Sequence, residues 1–508
     1  AEENYTRHVD PKIGTGGHGH VFVGANVPFG LVQVGPTSIP QTWDWCSGYH
    51  ASDSTVIGFS HTHLSGTGIG DLFDVTVMPV TGDVTYARGT EDDPTSGLWS
   101  YADRTQEIAR PGYYSVPLTR YGIRAELTAT ARVGLHRYTF PASDAAAVVF
   151  DLENGGCWDK ATETHLAKEG DRTVTGWRHS TGWAKDQRVY FAAEFSKPFE
   201  KFETIGDNYA RASFRTTDGE QVSLKVALSP VSVEGARENL AAELPGWDFE
   251  ETAKAADKAW NDELSKVKIE TADETARRIF YTALYHTMIA PSLFCDVNGD
   301  YYGSDHAIHR NADFTNYTTF SLWDTYRAAM PLMTVLHPEK MADIVQTMLH
   351  IADEQGRLPV WHLWGNETDC MVGNPGIVAV ADAIVKGIGG FDREKAFEAI
   401  RKTAMNPDRG NGLRMEYGYI PCEMFNEAVA YDMEYALADG AAARAAETLG
   451  KAEDAKYFEE RSHSYRNYFD PATRFMRGRD SRKGWRTPFN AFASTHRADD
   501  YCEGNAWQ

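Results

Sequence analysis

The sequence has few cysteines, a deficit of positive charge and no long apolar segment. Its six cysteines are widely spaced and form no C-x-x-C pair, which argues against a zinc ribbon and a disulfide framework, so we expect them mostly free and buried. Asp and Glu number 72 against 50 Lys and Arg, a net charge of -22, and such a field repels nucleic acid and anionic lipid. No run approaches the roughly 18 apolar residues of a transmembrane helix. We therefore predict no nucleic-acid partner and no membrane span.

The first residues, AEEN, include neither an initiator methionine nor an apolar signal segment. A mature exported protein whose signal peptide was removed would begin in this way, and so would a trimmed chain. The sequence leaves both open. The first alternative predicts a periplasmic or secreted protein.

Aromatic residues are abundant: they make up 12% of the chain and include 13 Trp and 24 Tyr. Two explanations stay open at this point. A large aromatic core would use them, and so would a carbohydrate site, because the C–H faces of sugars stack on aromatic rings.

The chain changes character near residue 245. Residues 5 to about 240 contain short β-rich runs with a period of two, such as 75–80, 134–140 and 189–195, which predict an antiparallel sandwich. The continuous apolar run 145–150 predicts a strand buried on both faces, ending at Asp151.

Residues 249–267 read as a charged amphipathic helix that links the two halves. Helical periodicity then predicts seven helices, over 272–290, 322–336, 338–355, 373–387, 392–405, 427–449 and 453–468. The predicted domains are a sandwich (1–245), a helical linker (246–268) and a helical domain (269–508).

A histidine pair lies in the segment 58–68 (GFSHTHLSGTG). His61 and His63, two residues apart, would share one strand face and could bind a metal. Hydrogen bonding of both rings to loop backbone is the favoured alternative, because no third ligand is at hand.

Four segments combine an acidic residue with Trp or Tyr between predicted helices. A carboxyl group packed on an aromatic ring loses hydration, which raises its pKa and keeps it protonated as a general acid. For Asp324 an N-cap role is at least as good an explanation. Together the four predict a shared acidic, aromatic pocket with sugar as the natural ligand; they are 322–327 (LWDTYR), 359–371 (PVWHLWGNETDCM), 417–423 (YGYIPCE) and 502–508 (CEGNAWQ).

The ordered motifs of the whole chain resemble glycoside hydrolase family 92. The resemblance covers residue 5 to the last residue, and it rests on 28–30 (PFG), 34–36 (VGP), 43–50 (WDWCSGYH), 58–68, 322–327, 366–371 (NETDCM) and 503–508 (EGNAWQ). It implies a bacterial, calcium-dependent, inverting exo-α-mannosidase. The implied fold is multidomain β + α, with an N-terminal antiparallel β-sandwich followed by an (α/α)6 toroid that looks incomplete in this chain.

The same resemblance implies roles for single residues. Glu503 matches the family's general acid, and Asn505 is where a calcium contact is expected. Substrate contacts are expected at Trp43, Trp45, Asp324, Glu367 and Asp369.

The reaction implied is release of terminal α-linked mannose, most simply from α-1,2 linkages in N-glycans or yeast mannan. Two alternatives stay open. One is a mannosyl-phosphate hydrolase, although Glu503 argues against it because a phosphodiester leaving group needs no acid. The other is a mannan-binding protein without catalysis, which the aromatic clusters alone would permit.

A closed (α/α)6 toroid needs twelve helices, and seven follow the linker before Glu503. We therefore expect the 508 residues to be one part of a longer polypeptide. The general base and most calcium ligands are expected beyond residue 508.

Overall fold

The computed structural model describes residues 3–93, 95–495 and 499–508. The chain divides into two compact units. The N-terminal unit comprises the chain up to residue 302 with 308–313 and 364–366, and the C-terminal unit comprises 303–307, 314–363 and the chain from 367 onward.

The N-terminal unit is built from antiparallel strands. In chain order the strands are β1 (Gly35–Thr37), β2 (Thr55–Val56), β3 (Gly58–Ser60), β4 (Thr76–Thr81), β5 (Ser100–Tyr101), β6 (Ile108–Arg110), β7 (Tyr113–Leu118), β8 (Ile123–Ala129), β9 (Val133–Phe140), β10 (Ser143–Asp151), β11 (Lys160–Glu169), β12 (Thr173–Thr181), β13 (Gln187–Phe195), β14 (Lys201–Ile205), β15 (Tyr209–Thr216), β16 (Glu220–Ser229), β17 (Ser292–Leu293), β18 (Tyr301–Tyr302) and β19 (Ile308–His309). One sheet has six of these strands in the order β1-β3-β4-β10-β15-β14, and a second has eight in the order β11-β12-β13-β16-β9-β8-β7-β6.

Aromatic pairs join the two large sheets face to face. Phe150 of β10 lies 6.1 Å from Phe191 of β13, and Phe195 of β13 lies 5.2 Å from Phe214 of β15, measured between ring centroids. All four rings are buried. The alternation of inward apolar and outward polar residues along each strand produces this sandwich core.

Strand β10 confirms the prediction of a strand buried on both faces. It pairs with β4 on one side and β15 on the other, and residues 146–151 are buried without interruption. Asp151 ends the strand, where its carboxylate accepts the backbone N–H groups of Glu153 and Asn154.

Three helices belong to the N-terminal unit: α1 (Val233–Glu243), α2 (Phe249–Leu264) and α3 (Glu274–His286). Helix α2 is the predicted linker helix. The Asp248 carboxylate caps its start by accepting the Glu251 N–H at 3.0 Å. On its buried face, Phe249 packs edge-on against Tyr113 of β7, and Trp260 packs against Tyr285 of α3 at 4.5 Å.

The C-terminal unit is mainly helical. Its helices are α4 (Leu322–Thr325), α5 (Ala329–Leu336), α6 (Pro338–Gln355), α7 (Pro375–Val385), α8 (Arg393–Ala404), α9 (Asn411–Tyr417), α10 (Ala428–Thr448) and α11 (Ala452–Arg461). Short strands accompany them. Before α4 come β20 (Tyr317–Thr318) and β21 (Phe320–Ser321), between α6 and α7 comes β22 (Trp361–Leu363), and after α11 come β24 (Phe469–Asp470) and β25 (Phe475–Met476), while β23 (Asn366–Glu367) lies where the two units meet in sequence.

The prediction of seven helices after the linker is wrong in number. In the described part of the chain nine α-helices follow α2, because the predicted helix 322–336 is two helices and α9 was missed. Pro331 lacks an N–H and is tolerated only in a first turn, so a helix restarts at Ala329 after Ala328, whose φ of -142° is not helical. Helix α9 has seven residues, too few for a clear periodic pattern.

The β-sandwich followed by a helical domain confirms the predicted fold class. The boundaries predicted at 245 and 268 stay predictions. Cys46, Cys422 and Cys502 are free thiols in buried positions, as expected. None of the helices among the described residues combines the length and the apolar composition needed to cross a bilayer.

Candidate active site

The two predicted sugar-contacting tryptophans lie on one short turn, a 3-10 helix over Trp43–Trp45. The Trp43 indole N–H donates to the Gly68 carbonyl at 2.9 Å, and the side chain is 48% exposed. The Trp45 indole N–H donates to Asp53, and its ring stacks on His50 at 4.3 Å. Trp43 therefore offers more free aromatic surface to a ligand than Trp45, which has one face covered.

His61 and His63 lie in the core of the N-terminal unit. Their Nδ1 atoms hydrogen-bond the carbonyls of Val75 and Gln33, and the Nε2 of His61 lies 2.8 Å from that of His136. Burial lowers the pKa of both His61 and His63 to about 4. The hydrogen-bonding alternative is the one that the structure shows, since these ring nitrogens already have partners.

The Glu367 side chain stabilises its own loop by hydrogen bonds. Its carboxylate accepts the N–H groups of Val360 at 2.8 Å and Trp361 at 2.9 Å, and the Gln355 side-chain amide at 3.0 Å. Both oxygens are therefore engaged by neighbouring residues of the C-terminal unit.

Asp369 lies in the same loop but is exposed. One of its oxygens accepts a hydrogen bond from Arg357, and Arg409 lies 3.8 Å away. Arg409 also donates to the carbonyls of Met371 and Gly373. The two arginines fix the position of the Asp369 carboxylate. Nothing in the local sequence pattern marks either of them as a site residue.

Asp324 is exposed near the start of α4. Its carboxylate accepts the Ser321 hydroxyl at 2.6 Å, and Ser321 rather than Asp324 occupies the N-cap position. Two and three residues further on, Tyr326 and Arg327 both donate to Glu434 of α10, at 2.8 and 3.1 Å. Glu434 is a further charged residue of this region that sequence reasoning missed.

Glu503 is exposed on a loop with firm supports. Tyr501 donates its hydroxyl to the Met476 carbonyl at 2.6 Å, and Arg486 pairs with Asp500 at 2.7 Å. Glu503 itself has a positive φ of 52°, which is uncommon for a residue with a side chain. Asp369 has the same φ of 52°.

A cavity of about 720 Å³ brings two of the four acidic, aromatic segments together. Trp323 and Arg327 come from 322–327, and Asn505 and Trp507 come from 502–508. Asn505 is thus a wall residue, with its amide oxygen accepting the Trp507 N–H at 3.0 Å. Asp324 and Glu503 are the chain neighbours of wall residues.

The segment 417–423 has a different environment. Tyr419, Ile420 and Cys422 are buried in hydrophobic clusters, and Glu423 accepts the Ser481 N–H at 2.9 Å. Neither this segment nor 359–371 contributes a wall residue to the cavity, which therefore unites two of the four segments and not all four as predicted. Tyr419 of 417–423 belongs to the core.

Two family models match the chain. The glycosyl hydrolase family 92 N-terminal domain matches residues 8–229, and the glycosyl hydrolase family 92 catalytic domain matches residues 235–508.

Solved structures agree with these matches. A family GH92 α-mannosidase from Bacteroides thetaiotaomicron, in complex with mannoimidazole, is 39% identical with a TM-score of 0.96, over 99% of this chain and 70% of that one. An inverting family GH92 mannosidase from the same organism is 28% identical with a TM-score of 0.90, over 100% and 71%.

A curated relative, an uncharacterized secreted glycosidase of Arthroderma benhamiae, is 26% identical over 94% of this chain. The chain spans 64% of that relative's length. The resemblance seen in the motifs is confirmed, because the two family models together match nearly the whole chain. This chain belongs to glycosyl hydrolase family 92.

Proposed function

We propose that this protein is an exo-acting glycoside hydrolase that releases terminal α-linked mannose with inversion of configuration. The observation that carries the proposal is the 39% identity to an α-mannosidase, maintained over 99% of the chain in both the sandwich and the helical unit. Mannose-containing glycans such as N-glycans or yeast mannan are the proposed substrates, with α-1,2 linkages preferred. The proposed location is periplasmic or secreted, and the name of the secreted relative supports export.

Glu503 is the proposed general acid. It protonates the departing glycosidic oxygen while water attacks C1 from the opposite face, which in inverting enzymes places acid and base about 6.5–9.5 Å apart. Its exposure lets a substrate oxygen reach the carboxyl group, and the bonds of Tyr501 and Asp500 hold the loop that carries it. We assign no carboxylate of this chain as the base.

The remaining predicted contacts divide by accessibility. The exposed face of Trp43 suits stacking on a sugar ring, and the exposed carboxylates of Asp324 and Asp369 suit hydrogen bonds to its hydroxyls. Glu367 and Trp45 have their polar groups engaged within the protein. We propose that these two residues act mainly by holding the others in place.

Calcium dependence is a further part of the proposal. Mannose has an axial O2 cis to O3, a diol that a hard cation can chelate. Calcium takes six to eight oxygen ligands, and Asn505 offers one amide oxygen at the cavity wall. Glu434 beside it is engaged by Tyr326 and Arg327, so the described residues around Asn505 fall short of a complete calcium site.

The deciding experiment is mannose release from α-1,2-mannobiose by the purified protein, with and without a chelator. We expect release that chelation abolishes without loss of the far-UV circular dichroism signal, because a substrate-binding metal does not hold the core. Full activity in excess chelator would exclude a catalytic calcium. Binding without release would favour a mannan-binding protein, and cleavage of mannosyl phosphodiesters alone would favour the phosphate hydrolase.

A further inference from the structure

A second tryptophan of the N-terminal unit, Trp158, packs on the same loop segment as Trp43. This segment, Gly68 to Gly70, is called the glycine strip. The Trp43 ring lies against Gly68, and the Trp158 ring lies against Gly70. A Cβ on Gly68 would lie 2.6 Å from the Trp43 ring, and a Cβ on Gly70 would lie 2.8 Å from the ring of Trp158. Because neither glycine has a side chain, both indoles can lie directly on the backbone.

Both rings keep a large free surface. Trp43 is 48% exposed and Trp158 is 40% exposed, whereas most tryptophans are largely buried. The two glycines are two residues apart, which is at most about 7 Å of extended chain. The indoles therefore occupy neighbouring positions on one short strip, a spacing suited to consecutive sugar rings of an oligosaccharide.

The backbone beneath Trp158 is fixed by bonds to that strip. The Trp158 N–H donates to the Gly70 carbonyl at 3.3 Å, and the Gly156 N–H donates to the Leu72 carbonyl at 3.1 Å. Asp71, between Gly70 and Leu72, is buried, and its carboxylate accepts the N–H groups of Trp183 and Ala184.

A single buried arginine holds both ends of the Trp158 loop. The Arg178 side chain donates to the Leu152 carbonyl at 2.9 Å and to Asp159 at 3.0 Å, and it also pairs with Asp74 at 2.7 Å. An exposed indole on so rigid a support loses little conformational entropy when a ligand stacks on it.

Polar groups surround the platform on the Trp43 side. His18 and His20 both contact the Asp44 carboxylate, at 2.6 and 3.2 Å, and His20 packs edge-on against Trp43 at 4.2 Å. Aromatic faces beside hydrogen-bonding groups fit a carbohydrate, which has both C–H faces and hydroxyls.

We infer that Trp158 is a further substrate-contacting residue, which forms with Trp43 a two-indole platform that stacks sugar rings and favours oligosaccharides over single mannosides. This inference rests on the proposed mannosidase function. Its chemistry is non-covalent, so the expected effect is on the choice of substrate.

The test compares α-1,2-mannotriose with α-mannosyl fluoride, which has one sugar ring and no aglycone to stack. For Trp158→Ala we expect the ratio of kcat/KM for mannotriose to that for the fluoride to fall about tenfold, equivalent to about 1.4 kcal/mol. Trp158→Phe keeps an aromatic face and should retain most of the ratio.

The matched control is Trp177→Ala. Trp177 is a partly exposed tryptophan of β12 in the same unit, stacked on His165 at 4.5 Å, and its indole N–H donates to Glu163 at 3.1 Å. Its substitution should leave the ratio unchanged. The inference is overturned if Trp158→Ala leaves the ratio unchanged, whether or not kcat/KM falls equally on both substrates. It is also overturned if Trp158→Phe lowers the ratio as much as Trp158→Ala does.

Failure of the proposed function gives a different result. If the wild-type protein hydrolyses neither substrate, calorimetric titration with mannotriose still measures the platform. Binding that weakens about tenfold in Trp158→Ala and not in Trp177→Ala would support the platform, and equal binding by all three proteins would refute it.

Discussion

Two arginine clusters, one in each unit, use the same residue types for different purposes. In the sandwich, Arg178 pairs with Asp74 and Asp159, and all three side chains are buried. In the helical unit, Arg357 pairs with Asp369, whose side chain is 42% exposed. The first cluster keeps its charged groups in the core, and the second leaves an acid within reach of a ligand. Exposure of the partner, rather than the pairing itself, separates a structural cluster from a candidate site.

The buried cluster also shows how strongly the interior acts on charge. Burial raises the pKa of Asp159 to about 6 although Arg178 opposes the rise. The carboxylates of Asp159 and Asp74 in turn raise the pKa of Arg178 against its own burial. Removal of the arginine would leave two buried acids without a cation.

The largest expected effect is on catalysis, in Glu503→Gln. The amide keeps the shape of the side chain but has no proton to give, so hydrolysis of α-1,2-mannobiose should fall roughly 10²–10⁴-fold. Thermal stability should stay unchanged because the side chain is exposed. Hydrolysis of α-mannosyl fluoride, whose leaving group needs little protonation, should be affected much less. Near-full activity on mannobiose would refute the assignment.

The next effect is on stability, in Arg178→Met. Leaving Asp74 and Asp159 buried without their cation should lower the free energy of unfolding by about 3–5 kcal/mol. Urea denaturation followed by circular dichroism measures it. The control is Arg215→Met, which removes a pair exposed on both sides at 3.6 Å from Glu200. That change should lower the free energy of unfolding by less than about 1 kcal/mol. Equal losses of unfolding free energy in the two variants would contradict the contrast between buried and exposed clusters.

Acid should destabilise the sandwich through its buried histidines. His63 has a pKa of about 4 in the folded protein because burial disfavours its charged form, against about 6.5 when unfolded. Between these values the unfolded state binds the proton and the folded state does not, so stability falls as pH drops from about 6.5 to about 4. The loss is roughly 3 kcal/mol for one such histidine. Urea denaturation across this pH range should show a shallower fall in His63→Gln than in the wild type, and identical slopes would contradict the prediction.

The smallest expected effect is that of Arg357→Ala. The side chain is 12% exposed and its partner Asp369 is 42% exposed, so its removal should lower the free energy of unfolding by about 1–2 kcal/mol, less than in Arg178→Met. The Asp369 carboxylate loses its fixed position, so KM for mannobiose should rise about three- to tenfold, equivalent to ~0.7–1.4 kcal/mol. Steady-state kinetics and thermal melting measure the two quantities. A large loss of stability with unchanged KM would make this cluster structural, like that of Arg178.

Much of the fold could be predicted because its signals are local. The period of two along the strands, the apolar run of β10 and the amphipathic face of α2 are each visible within about ten to twenty residues. The break between α4 and α5 was missed although Pro331 marks it, because the apolar pattern continues on both sides of the proline. In the candidate site, the motifs indicated Asp369 and Asn505 but not the arginines or Glu434 around them.

The sequence by itself determined the family, the order of sandwich and helices and the segments that carry chemistry, because motifs and periodicity are properties of neighbouring residues. Only the tertiary structure decided which carboxylates are exposed to a ligand and which are bonded within the protein. Arg178 meets Asp74 from 104 residues away, and Tyr326 meets Glu434 from 108 residues away. Such partners share no local pattern. The free energy of burying a charge depends on which groups the folded chain places beside it. Glu367 therefore accepts hydrogen bonds from the backbone of its own loop, whereas Asp369, two residues further on, is exposed.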